Sequence, residues 1–375
     1  KTETWHLLAT DSLSMNELVH FNASARYNHT KVKNTDFLAG SEFHYKEWDS
    51  DTSDYEYHNH RDAGGNHVFN RINPSLGITL TPNKNITAFG SYSESSRAPS
   101  TIELGCADKN NPCLLPNAMA SDPPLKQVVA KTYEAGLRGK VTQDIRWSAS
   151  IYEAVNHNDI QFIFSGPTTP SQGYFDNVGR TKRQGLDLGL SGTLDKFMWN
   201  ANYSYIDATF DSDLTIVSPA NDLADLDNKN IDVKKGNRLP GIAKNQFKLR
   251  AQYQVLPDWS LGANLIAYTS AFMFGNENNV SQGSVGSGKT PGYAIVNLDT
   301  QYNFGNSGWK IFAKAINVFD KDYSTTGRLA ENSFTDAGNT FETSGGNNAS
   351  FLSPGAPRAG WIGVRYEFGG TEKKD

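Results

Sequence analysis

From Phe247 through Lys248, Leu249, Arg250, Ala251, Gln252, Tyr253 and Gln254 to Val255, every odd position is apolar and every even one polar. Residues 197–205 repeat the arrangement, with Phe197, Trp199, Ala201, Tyr203 and Tyr205 on one face and Asn200, Asn202 and Ser204 on the other. The same period runs through Val19/Phe21/Ala23/Ala25/Tyr27, Tyr133/Ala135/Leu137, Ala294/Val296/Leu298 and Ile362/Val364/Tyr366/Phe368. Successive side chains of an extended backbone point to opposite faces, so a period of two predicts strands. Roughly thirteen such runs can be counted, which makes the expected fold class all-β and antiparallel. The last run, 358–368, ends on an aromatic residue and leaves a polar tail, 369–375.

The connections sharpen the picture. Short turns are expected near Pro82-Asn83-Lys84, Thr142-Gln143-Asp144, Asp195-Lys196, Pro257-Asp258 and Gly305-Asn306-Ser307-Gly308. Between them fall long polar connections at 33–66, 101–126, 212–243, 276–290 and 328–357, with a shorter one at 164–173. Short and long alternate strictly. That is the habit of transmembrane β-barrels, which have tight periplasmic turns and long outer loops. Trp147, Trp199, Trp259 and Trp309 each follow a short turn within a few residues, so all four are expected at one height, as an aromatic girdle at a bilayer interface. Core tryptophans of a soluble sandwich are the competing reading.

Composition alone does not separate these readings. The 375 residues are 37% hydrophobic, and no stretch approaches the roughly 20 apolar residues of a spanning helix. A mean hydropathy of -0.55 suits a soluble protein, but it equally suits a barrel, in which alternation cancels the average. A net charge of -5 gives no nucleic-acid footprint. The first residue is Lys1 with no signal peptide ahead of it, so the sequence is expected to be mature, trimmed or incomplete.

Several segments resemble the TonB-dependent receptor family. Ser96-Arg97-Ala98-Pro99-Ser100 followed by Glu103-Leu104 is similar to its "FRAP…EL" strand exit, and 125–136 to its "LKPExSxxYExG" segment, departing at Gln127, Val128 and Ala130. Asn177-Val178-Gly179 with Gln184-Gly185-Leu186, then 202–208, then Arg238-Leu239-Pro240, follow in the family's order, with Ala243 departing from the usual Pro. Asn317-Val318-Phe319-Asp320-Lys321-Asp322-Tyr323 resembles "NLFDKxY", and 354–368 resembles the closing "PgxPRxxxxxxxYxF" strand. The resemblance implies a bacterial outer-membrane barrel of 22 strands with an N-terminal plug and a TonB box. No segment here matches the plug or the box. The expectation is therefore the C-terminal barrel part over 1–368, embedded in outer-membrane lipid and lipopolysaccharide. Its implied work is TonB-driven uptake of a scarce nutrient, most often a ferric siderophore. A passive porin-like channel and a soluble β-sandwich binding module remain the alternatives.

Candidate site residues follow from position and chemistry. Cys106 and Cys113 lie close together in an otherwise thiol-free chain and are expected to form a disulfide pinning an outer loop; with no His or third Cys nearby, a metal site is not expected. Tyr55, His58 and His60 crowd the 33–66 loop and are candidates for contact with a metal chelate. Arg97 and Arg358 sit where strands meet long loops, and Arg138, Lys248 and Arg250 face the lumen by alternation. Each either attracts an anionic ligand or pairs with lumenal acids such as Glu134. Phe272, Met273 and Phe274 form either an apolar ligand contact or an upper lipid-facing belt. No GxSxG or HExxH occurs and no catalytic constellation stands out, so no enzyme activity and no cofactor is expected, barrel phospholipases and proteases being the remote alternative.

Overall fold

The computed structural model describes residues 1–35, 44–49, 54–59, 65–107, 113, 125–164, 173–282, 288–332, 334–335, 340–341 and 347–368. The polar tail, 369–375, lies outside them. Thirteen strands form one sheet: β1 (Thr2–Ser14), β2 (Val19–Asn34), β3 (Gly65–Asn83), β4 (Ile86–Arg97), β5 (Val128–Lys140), β6 (Ile145–His157), β7 (Arg180–Leu194), β8 (Phe197–Phe210), β9 (Asn245–Leu256), β10 (Trp259–Tyr268), β11 (Tyr293–Asn303), β12 (Trp309–Ile316) and β13 (Ala359–Tyr366). Each pairs antiparallel with its successor in this series, and β1 and β13 are the two edges. The count matches the thirteen runs of alternation.

Side chains explain the tight connections. Asn16 Oδ1 accepts the Leu18 and Val19 amides between β1 and β2, and Thr142 Oγ1 accepts those of Asp144 and Ile145 between β5 and β6. Asp195 turns β7 into β8 with φ of 52°, a left-handed conformation that short polar side chains tolerate. The β11–β12 turn needs two such positions and has Gly305 and Gly308 there.

Burial is inverted relative to a soluble sandwich. The outward positions of the sheet are apolar yet uncovered: Leu7 is 70% exposed, Ile72 61%, Ile151 61% and Ile362 70%. Among the described residues the largest fully buried side chains (Phe210, Leu104, Ile231, Met273, Val32 and Val233) sit at strand tops or in the long loops. A contiguous uncovered apolar band on this scale is stable only against lipid. The inner face is polar. Across it Arg250 on β9 forms a two-pronged ion pair with Asp299 on β11, over Gly262 on β10, where any side chain would collide with both partners.

The four tryptophans lie in one tier at the short-turn end. Trp147 and Trp199 are the third residues of β6 and β8, and Trp259 and Trp309 open β10 and β12. Gly139 and Gly192 stand opposite Trp147 and Trp199, where an added Cβ would lie 3.1 Å from the indole nitrogen. Trp259 Nε1 donates to Thr300 Oγ1 at 2.9 Å, and the Trp309 and Tyr366 rings pack at a tilt with centroids 4.7 Å apart.

Candidate ligand vestibule at the long-loop end

Among the described residues, five of the six long loops carry small hairpins of their own, and the loop after β4 carries a helix. After β4, a short helix α1 (Thr101–Gly105) starts in a capping box. Ser100 Oγ accepts the Glu103 amide while the Glu103 carboxylate accepts the Ser100 amide. Arg97 then donates to both Glu103 oxygens, at 2.6 and 3.0 Å. Leu104 packs with Val32, Ala107, Leu125, Val128 and Ile160, so the helix plugs the gap between β2 and the next loop. Cys106 and Cys113 are disulfide-bonded with Cα atoms 5.7 Å apart, and Cys113 exchanges two backbone hydrogen bonds with Gly173. The disulfide thereby fixes one loop against the hairpin Ile160–Phe164/Gly173–Asn177.

Burial works to raise the Glu103 carboxyl, but the Arg97 and Ser100 hydrogen bonds hold it below the usual carboxylate range. A group depressed in the folded state contributes stability above its ordinary pKa and loses it as pH falls through the folded one. Amide protection at Ser100 and Glu103, corrected for intrinsic exchange, is therefore expected to hold at neutral pH and to be lost only as the pH falls below the ordinary carboxylate range. Arg97→Ala is expected to loosen the same amides at neutral pH, by on the order of 0.5 kcal/mol given the exposed arginine.

On the other side of the mouth three loops meet. The hairpin Leu214–Val217/Asn230–Val233 packs on the end of β8, burying Ile231 and Val233 against Ala208 and Phe210 and against Leu239. Ser218 Oγ and Asn221 Nδ2 both donate to the Gly275 carbonyl at 2.8 Å. Phe274 pairs in parallel with Arg328 through two backbone hydrogen bonds, from its amide to Gly327 O and from the Leu329 amide to its own carbonyl. The Phe274 ring lies on Gly241, whose φ of 73° and missing side chain make the approach feasible.

These loops enclose a cavity of about 470 Å³ lined by Gln161, Phe162, Arg183, Leu239, Pro240, Ile242, Phe274, Gly275, Glu277 and Arg328. That volume falls in the range of small-molecule sites. Arg183 reaches it from the inner face of β7, held by Thr181 Oγ1 at 3.0 Å and by Asp159 at 3.8 Å. Burial pushes the Glu277 carboxyl up and the Arg328 guanidinium down, each countered by the charge of the other. Apolar walls with a few converging charges are what recognition of a partly aromatic, charged ligand requires.

Of the residues singled out from sequence whose side chains are described, Phe274 lines this cavity and the others stand elsewhere. Arg97 is engaged by Glu103, and Arg358 by Asp320 through its backbone amide at 3.1 Å and its guanidinium at 3.4 Å, so both charges lock loops locally. Met273 is 0% exposed and packs between Ala220 and Leu329, a loop-core residue and not a surface for ligand. Phe272 is flanked by the Arg238 and Lys289 cations, 5.7 and 4.5 Å from its ring. Tyr55 and His58 lie on a loop strand facing Trp48 and Tyr45, while their side chains and all of His60 fall outside the described residues. Arg183, Glu277 and Arg328 were not anticipated. Inward placement of Arg183 follows from the alternation in β7, but nothing local marks Glu277 or Arg328.

A second cavity, of about 510 Å³, opens at the short-turn end of the inner face, where Lys84, Arg138, Lys140 and Arg146 line it together with Ser148, Ser191, Asn200 and Asn202.

The family model "TonB dependent receptor-like, beta-barrel" matches residues 1–318. The chain is 28% identical over 253 residues, 66% of its length and 30% of the relative's, to a probable TonB-dependent siderophore receptor, PiuA, of Acinetobacter baumannii. The crystal structure of PiuA from that organism superposes with a TM-score of 0.64 at 18% identity, covering 97% of this chain and 43% of that one. The copper transporter OprC gives 0.65 at 16% identity, covering 98% and 48%. The ferric-catecholate import receptor Fiu of E. coli K12 gives 0.60 at 19%, covering 97% and 44%. The chain thus spans less than half the length of each of these relatives. With the uncovered apolar band, polar inner wall and one-sided long loops already in place, the match identifies the chain as a member of the TonB-dependent receptor β-barrel family of the bacterial outer membrane.

Proposed function

We propose that the chain is the C-terminal barrel portion of a transporter that takes up a ferric siderophore and is energised by TonB through an N-terminal plug. The observation that carries this reading is the cavity at the long-loop mouth, where Arg183 and Arg328 share a wall with Phe162, Phe274 and aliphatic residues, and with Gln161 and Glu277 as its other polar groups. Arginine beside aromatic rings suits an anionic chelate whose organic shell is flat and partly apolar. Similarity to the probable siderophore receptor PiuA and to the ferric-catecholate import receptor Fiu supports the same substrate class. On this reading the tryptophan tier would seat among lipid headgroups at the periplasmic interface.

Uptake of radiolabelled ferric siderophore by cells bearing the intact receptor tests it. The expected result is accumulation that falls to background when either the receptor or TonB is deleted. Uptake that persists without TonB and scales linearly with external concentration would instead support the porin-like channel.

A further inference from the structure

Positive charge is gathered and left uncompensated at the short-turn end of the inner face. Lys140 of β5 and Arg146 of β6 are direct cross-strand partners, and like charges so placed destabilise a sheet unless something offsets them. Arg138 stands two residues away on the same face of β5, over the Phe89 ring, and Lys84 joins from the β3–β4 turn. All four side chains are exposed, no carboxylate lines the cavity they share, and none of them forms an ion pair among the described residues. Elsewhere on this face cations do meet an acid: Arg183 lies beside Asp159, Arg250 is paired with Asp299, and Lys310, next to Trp309 of the tryptophan tier, is 2.9 Å from Glu367. The cavity floor is also hollowed. Gly189 of β7 stands between Ser148 of β6 and Asn202 of β8, where a Cβ would come within 2.6 Å of the Ser148 hydroxyl. One row nearer the turns, Ser191 lies between Arg146 and Asn200.

We infer that this hollow of about 510 Å³ is a second anion site, for a compact ligand carrying several phenolate, carboxylate or phosphate oxygens. Guanidinium and ammonium groups supply the charge, and the serine hydroxyls and asparagine amides beside them supply neutral donors. Resting on the siderophore reading above, its occupant is the anionic chelate after it has left the long-loop vestibule. In the vestibule Arg183 is held against Asp159, whereas the cations at the short-turn end have no acid to share, so positive potential rises along the path of the cargo. A free phosphate reaching the hollow from the short-turn side offers the same oxygen chemistry, and the two sources are separated by experiment.

Pyrophosphate probes the site, and the kinetically inert trianion chromium(III) tris-catecholate stands in for the cargo. Calorimetric titration of the intact receptor, purified from outer membranes in detergent at low salt, is expected to show one equivalent of pyrophosphate bound. Arg138→Gln and Arg146→Gln together are expected to weaken it about tenfold, as two solvent-exposed charges allow. Lys310→Gln, whose ammonium already faces Glu367, is expected to leave it unchanged. Migration on unheated detergent gels shows that each variant is folded. Absence of binding, as when an acidic segment of the intact receptor already covers the cations, would overturn the site. So would an affinity that the double variant leaves unchanged or that Lys310→Gln lowers equally. The chromium complex is expected to displace pyrophosphate. If it does not, the hollow takes free phosphate, and its role as a station for the cargo is overturned. Uptake of ferric siderophore is measured separately, so the siderophore reading stands or falls on its own result.

Discussion

Asn317→Ala is expected to cost the folded protein about 3–5 kcal/mol, a large fraction of the net stability of an ordinary domain. Asn317 directly follows β12, is 2% exposed and has φ of 47°. Its Nδ2 donates to the Lys321 carbonyl at 3.0 Å and the Ala356 carbonyl at 3.1 Å, while its Oδ1 accepts the Lys321 amide at 2.9 Å. Its own amide donates to Asn297 Oδ1 on β11. One side chain therefore joins the turn after β12 to the segment that enters β13. Alanine strands three backbone groups, at about 1 kcal/mol or more each, and tolerates the left-handed backbone worse than asparagine by about 1 kcal/mol. Asn317→Gly loses the same hydrogen bonds without the backbone strain, so it should fall between wild type and alanine. Urea midpoints of the protein reconstituted in lipid vesicles give the comparison. An alanine variant within about 1 kcal/mol of wild type would show that water or neighbouring groups replace the network.

That turn also shows which parts of the molecule a reader of sequence can reach. The resemblance of 317–323 to the family motif marked the place but not its work, which is turn chemistry. Asp320 takes a left-handed φ of 51° and receives Arg358, while the Tyr323 hydroxyl accepts the Ala356 amide at 3.2 Å. The strands were legible because period two is a local property and the lipid-facing band forces it on every strand alike. The loop alternation was legible because turn residues mark both ends of each short connection. The vestibule was not, because its contacts join residues from separate loops: Arg183 from a strand, Glu277 and Arg328 from loops brought together by the Phe274–Arg328 bridge. For Arg97 and Arg358 the sequence left ligand attraction and pairing with an acid both open, for the converse reason. A cation at a strand exit looks available until the nearby acid is folded back onto it, as the helix cap does with Glu103. Met273 was apolar and placed in a loop, which fits a ligand contact and a loop core equally well. Only the buried positions of Ala220 and Leu329 around it decide the matter.

The second large effect is a reversal of sign between two glycines of the inner face. Strand propensity alone favours replacing either one, since glycine is a poor strand residue. Gly77 on β3 has room: an added Cβ would meet nothing closer than the Gly90 carbonyl oxygen at 3.8 Å. Gly77→Ala is thus expected to be neutral or to stabilise by about 0.5 kcal/mol, by restricting the unfolded chain. Gly185 on β7 lies opposite Tyr152 of β6 and Ile206 of β8. A Cβ there would overlap the Tyr205 carbonyl oxygen and stand 2.7 Å from the Tyr152 hydroxyl. The tyrosine can swing away, but the carbonyl belongs to the β7–β8 ladder and moves only if the sheet bends. Gly185→Ala is expected to destabilise by about 2–3 kcal/mol, and Gly185→Val by more. Folded outer-membrane barrels migrate differently from unfolded ones on unheated detergent gels, so the folded fraction at increasing urea ranks the variants directly. If Gly185→Ala matched Gly77→Ala, the close approach of Tyr205 would not constrain the barrel wall, and the small residue at 185 would need another cause.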